Sequence, residues 1–201
     1  SGRERTLGVK NRADNRRRVI VAGGGPAGLK AAAVAAERGH AVTLYEKTRR
    51  VGGQALLAQL LPSRLEFGGL IDNLHRECLQ AGVEVVTGTE VTPELVAAER
   101  PDALVIATGA TPYVPDLPGA DEAHVVTAWQ VLSGAVNVGA SVVIADWRPD
   151  WIGLGVAERL AAAGSHVRLC VNGTHAGETL QQYVRDALVA RIHLLGVEVT
   201  P

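Results

Sequence analysis

The sequence predicts an α/β fold in which parallel strands alternate with helices in a three-layer, doubly wound arrangement. Three observations carry this prediction. Short apolar runs typical of buried strands alternate with longer segments of helical period. A glycine-rich turn joins the first strand to the first helix, and a second strand–helix–strand unit begins near Ala140. The content of 47% hydrophobic and 20% charged residues fits an α/β protein.

The first unit starts with the apolar residues 19–22, which predict a buried strand, and continues directly into the turn GGGPAG at residues 23–28. Gly23 permits the tight bend, Gly25 lets the backbone approach a pyrophosphate, and Gly28 lets the helix lie close to the sheet. The helix N-terminus then presents unpaired N–H groups to the phosphates. The alternative is a glycine-rich turn that binds nothing.

A second strand, residues 41–45, delivers Glu46 at its tip. A carboxylate at this place can accept hydrogen bonds from a ribose 2′-hydroxyl, and its charge disfavours a 2′-phosphate. Together with the glycine turn, Glu46 predicts a Rossmann-like site for an unphosphorylated ADP-ribose end. Two later glycine turns, at Gly52-Gly53-Gln54 and at Thr108-Gly109, allow further close approaches of the backbone, although each is also consistent with a plain turn.

The remaining elements follow from periodicity and from turn residues. Helices are predicted over residues 66–81, 93–99, 127–133, 152–163 and 178–195, and strands over residues 83–86, 103–107, 141–145, 166–171 and 197–200. Prolines make residues 110–123 the best internal linker. We therefore expect a polar arm or linker at residues 1–17, a nucleotide-binding domain at residues 18–138, and the truncated start of a second, similar domain at residues 139–201.

The second unit lacks the residues that bind phosphate in the first. Its turn is two residues longer, has neither of the first two glycines, and carries Asp146 and Asp150, which would repel a pyrophosphate. Val171 stands where the first unit has Glu46. We expect a poor site for a nicotinamide nucleotide here. The opposing hypothesis is that Arg148 replaces the glycine contacts with a charged one.

Composition argues against several other functions. A net charge of −1 gives no electrostatic case for nucleic acid or a membrane as a partner, and we see neither a membrane-spanning run nor a signal peptide, so we expect a cytoplasmic protein. Cys78 and Cys170 are far apart, so neither a metal site nor a redox-active disulfide is expected. The six histidines are scattered, and no residue is predicted to be a catalytic acid, base or nucleophile.

The combination of GGGPAG, Glu46, GGQ, Ala107-Thr108-Gly109 and a second strand–helix–strand copy resembles the two-dinucleotide-binding-domain flavoproteins. Gly2-Arg3-Glu4-Arg5 and the stretch around Leu61-Pro62-Ser63-Arg64 resemble the C-terminal part of the old-yellow-enzyme-like iron–sulfur flavoenzymes. This is the group of 2,4-dienoyl-CoA reductase, 2-enoate reductase and trimethylamine dehydrogenase. Glutathione-reductase-like relatives fit less well, because they place a redox CxxxxC near Gly52-Gly53.

The resemblance implies an oxidoreductase whose FMN-carrying barrel and [4Fe–4S] cluster lie upstream of Ser1, so that this chain is a fragment and the rest of the polypeptide is its partner. In the reductases of the group this region carries FAD and takes electrons from NAD(P)H, whereas the amine dehydrogenases hold ADP in the first pocket. A homo-oligomer is compatible with either. The expected cofactor-binding residues are Gly23, Gly25, Pro26, Ala27, Gly28, Glu46, Lys47, Gly53, Gln54, Val86, Ala107, Thr108 and Gly109.

Overall fold

The computed structural model describes residues 11–201, so the Gly2-Arg3-Glu4-Arg5 motif and the first part of the predicted arm lie outside the described residues. Within this range the chain forms two compact units. The first contains the described residues up to Ala58 together with Glu66–Ala110, and the second contains Gln59–Leu65 and Thr111–Pro201. The predicted domain boundary between residues 138 and 139 stays a prediction.

The first unit contains a four-stranded parallel sheet in the order β3-β2-β1-β4. The elements are β1 (Arg18–Ala22), α1 (Pro26–Glu37), β2 (Ala41–Glu46), α2 (Ala55–Ala58), α3 (Glu66–Gln80), β3 (Glu84–Thr87), α4 (Pro93–Glu99) and β4 (Ala103–Ile106). Strand order reverses at β1, so the crevice in which such sheets bind ligands lies at the carboxyl ends of β1 and β4. The parallel sheet with its crossover helices confirms the predicted Rossmann-like α/β fold.

The core of the first unit is formed by β1, β2, α1 and α3. Val21, Leu29 and Leu44 are fully buried in it. Helix α1 contributes Ala32 and Ala33 to the same core, and these small side chains let its axis lie close to the sheet. The start of α1 is thereby fixed beside the carboxyl ends of the strands.

The second unit contains a three-stranded parallel sheet in the order β5-β6-β7. Its elements are α5 (Ala128–Ser133), β5 (Ser141–Asp146), α6 (Trp151–Ala162), β6 (His166–Val171), α7 (Gln182–Leu194) and β7 (Glu198–Thr200). The predicted cap of α5 is present, since Thr127 and Gln130 form a capping box. Leu154, Leu169 and Ile192 are fully buried and mark the core of this unit.

Two differences from the predicted elements have physical causes. The short helix α2 was not predicted, because four residues after GGQ carry too little periodicity to be recognised. The last helix begins at Gln182 instead of residue 178, because the backbone N–H and hydroxyl of Thr179 donate to the carbonyl of Pro149, at 3.1 and 2.9 Å. In addition, the Glu178 carboxylate accepts a hydrogen bond of 2.8 Å from the N–H of Thr174. These bonds hold the segment as a loop.

Residues 11–17 contain neither helix nor strand. They are nevertheless attached to the first unit, since the N–H of Ala13 donates to the carbonyl of Arg38 at 2.9 Å and that of Arg17 donates to Nδ1 of His40 at 3.2 Å. Over residues 11–201, the structure has no helix with both the length and the apolar character that crossing a membrane requires.

Candidate functional site

The glycine turn of the first unit brings strand and helix together as closely as the backbone allows. Gly23 has a φ of +108°, and a Cβ there would overlap the carbonyl oxygen of Ala107. A Cβ at Gly28 would overlap the carbonyl oxygen of Gly23. The predicted roles of these two glycines in bending the chain and in close packing therefore correspond to specific contacts in the structure.

The N-terminus of α1 is left open by its own sequence. Its N-cap is Gly25, which makes no side-chain capping bond, Pro26 occupies the start of the helix, and no acidic residue lies in the first turn. The first N–H groups of a helix have no partner inside it, and the helix dipole makes this end positive. Backbone donors from Ala27 onward thus face the place where a phosphate would bind.

A second glycine turn lies directly against the first. The N–H of Gly52 donates to the carbonyl of Gly24 at 2.8 Å, and a Cβ at Gly53 would lie only 3.2 Å from the Cα of Gly25. Gly53 has a φ of +53°, in the left-handed region. The backbone of these two turns encloses a concave surface without side chains, which we call the cradle of Gly25 and Gly53. A larger residue at either position would begin to fill it.

Glu46 lies at the end of β2 beside this cradle and is only 7% exposed. Its Oε2 accepts a hydrogen bond of 2.7 Å from the N–H of Gly24, and its Oε1 accepts bonds of 2.8 Å from the N–H and hydroxyl of Thr48. A carboxylate has about four acceptor positions. Two backbone N–H groups donate to it, and the hydroxyl of Thr48 lies within hydrogen-bond distance of both this carboxylate and the carbonyl of Arg50, each at 2.8 Å. The carboxylate is thus held in one orientation and keeps at least one acceptor position for a ligand.

The other predicted site residues lie around the same edge of the sheet. Ala107, Thr108 and Gly109 follow β4, and Lys47 follows β2. Val86 lies on β3, opposite Tyr45 on β2. The remaining predicted residue, Gln54, donates from Nε2 to the carbonyl of Ala110 at 2.9 Å. The predicted site residues thus belong to the turns, the strand ends and the start of α1 on the carboxyl side of one sheet.

Sequence reasoning missed Gly24 and Thr48, the two residues that fix the carboxylate of Glu46. Gly24 has no room for a side chain, since a Cβ there would lie 2.9 Å from Val51 Cγ1. The middle glycine of GGG and a hydroxyl two residues after the acid were the available signals.

A cavity of about 440 Å³ lies elsewhere in the first unit, at the amino ends of the strands. Its lining includes Arg12, Arg16, Arg18 and His40. The C-terminal ends of α1, α3 and α4 meet this edge, and arginines there offset the negative ends of the helix dipoles. Arg18 is also paired with Glu99 at 2.9 Å. We therefore assign this cavity no part in nucleotide binding.

The corresponding turn of the second unit is filled by side chains. A Cβ at Gly153 would overlap the carboxyl group of Asp146, which thus lies against the first turn of α6. Asp150 caps this helix, because its Oδ1 accepts a hydrogen bond of 2.7 Å from the N–H of Ile152. Pro149 is buried, and its carbonyl accepts both bonds from Thr179.

Asp146 is itself an unusual group. It is 7% exposed, and its Oδ2 has no hydrogen-bond partner within residues 11–201. Burial, and next the neighbouring Asp150 carboxylate, raise the pKa of Asp146 to about 6. Two acidic side chains therefore occupy the start of α6, where a second pyrophosphate would have to bind. These residues do not fit a dinucleotide, whereas those of the first unit do.

The comparison with protein families decides the family of the chain. Residues 17–201 match the model of the pyridine nucleotide-disulphide oxidoreductases. The chain belongs to this family. The Rossmann-like fold predicted from the glycine turn agrees with this family assignment.

Comparison with individual proteins shows which flavoenzymes this chain is similar to. N,N-dimethylglycine/sarcosine dehydrogenase of Chromohalobacter salexigens is 39% identical over 168 residues, which are 81% of this chain and 24% of that protein. NADH oxidase of Thermoanaerobacter brockii is 32% identical over 212 residues, covering 100% of this chain and 33% of that protein. These family members confirm the resemblance to the old-yellow-enzyme-like flavoenzymes.

A solved structure supports the same grouping. A 2-naphthoyl-CoA reductase in complex with 2-naphthoyl-CoA superimposes with a TM-score of 0.89 at 30% identity, over 96% of this chain and 29% of that one. The chain spans about a quarter to a third of the length of these family members.

Proposed function

We propose that the first unit binds the ADP part of FAD in a flavin-dependent oxidoreductase. The observation that carries this proposal is the uncapped N-terminus of α1 beside a cradle of Gly25 and Gly53, with Glu46 held at its edge. Backbone N–H groups of α1 would hold the pyrophosphate, and the remaining acceptor position of Glu46 would hold a ribose hydroxyl. The fixed negative charge would exclude a 2′-phosphate.

The chain's own residues bind and orient the cofactor, while the chemistry belongs to the flavin. FAD would supply reversible electron transfer between a nicotinamide nucleotide or substrate and the rest of the enzyme. In the whole polypeptide we propose that electrons pass between this flavin and an upstream [4Fe–4S] cluster and FMN. A cytoplasmic location and a homo-oligomer are part of the same proposal.

A second candidate function is a non-catalytic module in which ADP alone fills the first unit and stabilises the fold by mass action. The acidic, capped turn of the second unit favours it, because a chain without an NAD(P)H site has less use for FAD as the acceptor of a hydride. Denaturing the purified chain and identifying the released nucleotide separates the two. FAD supports the first function, and ADP alone from a colourless protein supports the second.

The role of Glu46 is tested by the variant Glu46→Gln, which keeps the shape of the side chain and removes its charge. Glu46→Arg should also weaken ADP binding, but it is less informative, because burying a larger cation at this site would destabilise the fold as well. In the variant, the side-chain NH₂ replaces one carboxylate oxygen and faces the N–H of Gly24 or of Thr48, which is also a donor. The side chain is then no longer held in place, so ADP should bind more weakly by about 1 to 3 kcal/mol. Isothermal titration with ADP measures this loss.

The matched control is Glu84→Gln on the exposed face of β3, which should leave ADP affinity unchanged. Circular dichroism shows whether both variants stay folded. Unchanged ADP binding in folded Glu46→Gln would remove Glu46 from the site.

A further inference from the structure

A short stretch of the chain, residues 59–65, belongs to the second unit, although the chain on both sides of it belongs to the first. We call this stretch the strap. It begins directly after α2 and ends directly before α3. The connection between two helices of the first unit is therefore built into the second unit.

The middle of the strap is held against α6. Leu61 is only 3% exposed and lies over Gly155, where a Cβ would come within 3.3 Å of both methyl carbons of the leucine. Beside it, Nη1 of Arg159 donates a hydrogen bond of 2.7 Å to the carbonyl of Leu60. Glycine at position 155 thus leaves a recess on α6 that receives the side chain of Leu61.

The end of the strap is held as well. The guanidinium of Arg64 lies 5.0 Å from the ring centroid of Trp151, at the distance of a cation–π contact. Between the two contacts, Ser63 has a φ of +59°, in the left-handed region that a residue with a side chain rarely adopts. Such a conformation persists only where the surrounding structure holds it. The strap is therefore fixed by its contacts with α6.

The helix α2 connects the strap to the second glycine turn. The N–H of Leu56 donates to the carbonyl of Gly53 at 3.2 Å. The side chain of Leu56 also covers Gly52, where a Cβ would overlap it. Because α2 is a single helical turn that ends at Ala58, a displacement of the strap is passed on to Gly53 over a short and compact segment.

We propose that Leu61 is a positioning residue for the candidate site. Seated in the recess at Gly155, it holds the strap and thereby keeps Gly53 where the cradle receives a pyrophosphate. A ligand binds more tightly to a segment that is already ordered, because less conformational entropy is lost on binding. The inference rests on the proposed function and adds to it that nucleotide affinity in the first unit depends on a contact made within the second.

The test measures the dissociation constant of ADP by isothermal titration. Leu61→Ala should weaken ADP binding by roughly three- to tenfold, the effect of about one further residue that the ligand has to order. Leu61→Met fills the recess with a side chain of similar volume and should restore the parent's affinity. Leu65→Ala is the matched control, because this leucine of the same strap is 79% exposed, and it should bind ADP like the parent.

A second variant weakens the strap without leaving a cavity. Arg159→Ala removes the hydrogen bond to the carbonyl of Leu60 and keeps Leu61 in its recess. ADP binding should weaken in the same direction by roughly two- to threefold, because an exposed hydrogen bond contributes less than a buried leucine.

Tryptophan fluorescence gives a readout that a merely structural role would not change. In the parent the strap is already held against α6, so saturating ADP should leave the fluorescence of Trp151 unchanged. In Leu61→Ala part of the population loses these contacts, and by linkage ADP shifts it back. The fluorescence of the variant should then return towards that of the parent, and this return should be absent when Trp151→Phe is added.

The outcomes separate the inference from the proposed function. A parent chain that binds no ADP refutes the proposed function itself. If the parent binds ADP, unchanged affinity in Leu61→Ala that is folded by circular dichroism refutes the inference, and Ala55 in the core of the first unit would then suffice to hold the cradle. Should Leu61→Ala fail to fold, unchanged affinity in Arg159→Ala has the same meaning. An equal loss in Leu65→Ala, or no recovery in Leu61→Met, would also overturn the inference, because the effect would not come from the filled recess.

Discussion

The two strand–helix–strand units share a parallel pair of strands and a connecting helix, and they differ in the turn between strand and helix. In the first unit the N-cap of α1 is Gly25, which makes no side-chain bond. In the second, Asp150 caps α6 with a carboxylate of the chain itself. A helix N-terminus is therefore open to an anionic ligand only where the sequence leaves it unsatisfied. The same fold leaves the helix N-terminus open in the first unit and closes it with a side chain in the second.

Glycine occupies the corresponding position in both units, at Gly28 and at Gly153, but the structural reason for it differs. At Gly28 the neighbour that excludes a Cβ is the backbone carbonyl of Gly23. At Gly153 the neighbour is the side chain of Asp146. Backbone at the end of a buried strand cannot yield, but a side chain can rotate away. The two positions look alike in the sequence and differ in what a substitution would cost.

The largest expected effect follows from this difference. Gly28→Ala should destabilise the first unit by about 2 to 3 kcal/mol, because strand and helix must separate to admit the methyl group. Gly153→Ala should destabilise the second unit by less than about 1 kcal/mol, because the carboxyl group of Asp146 can move. Urea unfolding of each variant measures both values.

The probes for this experiment are already in the chain. Trp129, Trp147 and Trp151 all lie in the second unit, so tryptophan fluorescence follows that unit while far-ultraviolet circular dichroism follows both. Gly28→Ala should shift the dichroism transition and leave the fluorescence transition in place. Each variant is read in the transition of its own unit. An equal loss of free energy of unfolding in Gly28→Ala and Gly153→Ala would show that the side chain of Asp146 is held as firmly as backbone.

The next effect concerns the buried carboxyl group of Asp146. Its folded pKa of about 6 lies above the unfolded value of about 3.9. The proton is therefore bound more tightly in the folded state, and the stability that this contributes is present below pH 4 and lost as the pH rises through 6. The loss amounts to about 2 to 3 kcal/mol.

Asp146→Asn removes the charge and keeps the acceptor oxygen. At about pH 8 the variant should be more stable than the parent by about 2 kcal/mol, and near pH 4 the two should be equal. Urea unfolding across this range gives the difference at each pH, which cancels the titration of other groups. Asn137→Ala, at an exposed position in the same unit, changes no titratable group and should show no such trend. A difference that is constant with pH would mean that Asp146 does not titrate in this window.

The sequence was sufficient where local chemistry decides the structure. Glycines at fixed spacing, apolar runs and the cap at Thr127 predicted the strands, most helices and the approach of the turns. It was insufficient where distant segments decide. The loop that ends before Gln182 depends on the carbonyl of Pro149, which accepts two hydrogen bonds from Thr179. The sequence near residue 178 gives no sign of this distant partner.

The candidate site shows the same division. Glu46 was predicted from its spacing after the glycine turn, but its fixation by Gly24 and Thr48 required coordinates. The link from Gln54 to Ala110 joins positions 56 residues apart in the chain. Local motifs thus predict which residues gather at an edge, while the bonds among them depend on side-chain orientation, which periodicity does not encode.

The smallest expected effect is the response of the second unit to NADH. With the first unit saturated by ADP, micromolar NADH should leave the fluorescence of Trp147 and Trp151 unchanged, because Asp146 and Asp150 occupy the start of α6 and repel a pyrophosphate. Trp147 is 42% exposed and lies in the turn that NADH would contact, so NADH binding there should change its fluorescence. Saturable quenching that disappears in Arg148→Ala would contradict the comparison. It would show that one arginine can replace the open helix N-terminus of the first unit.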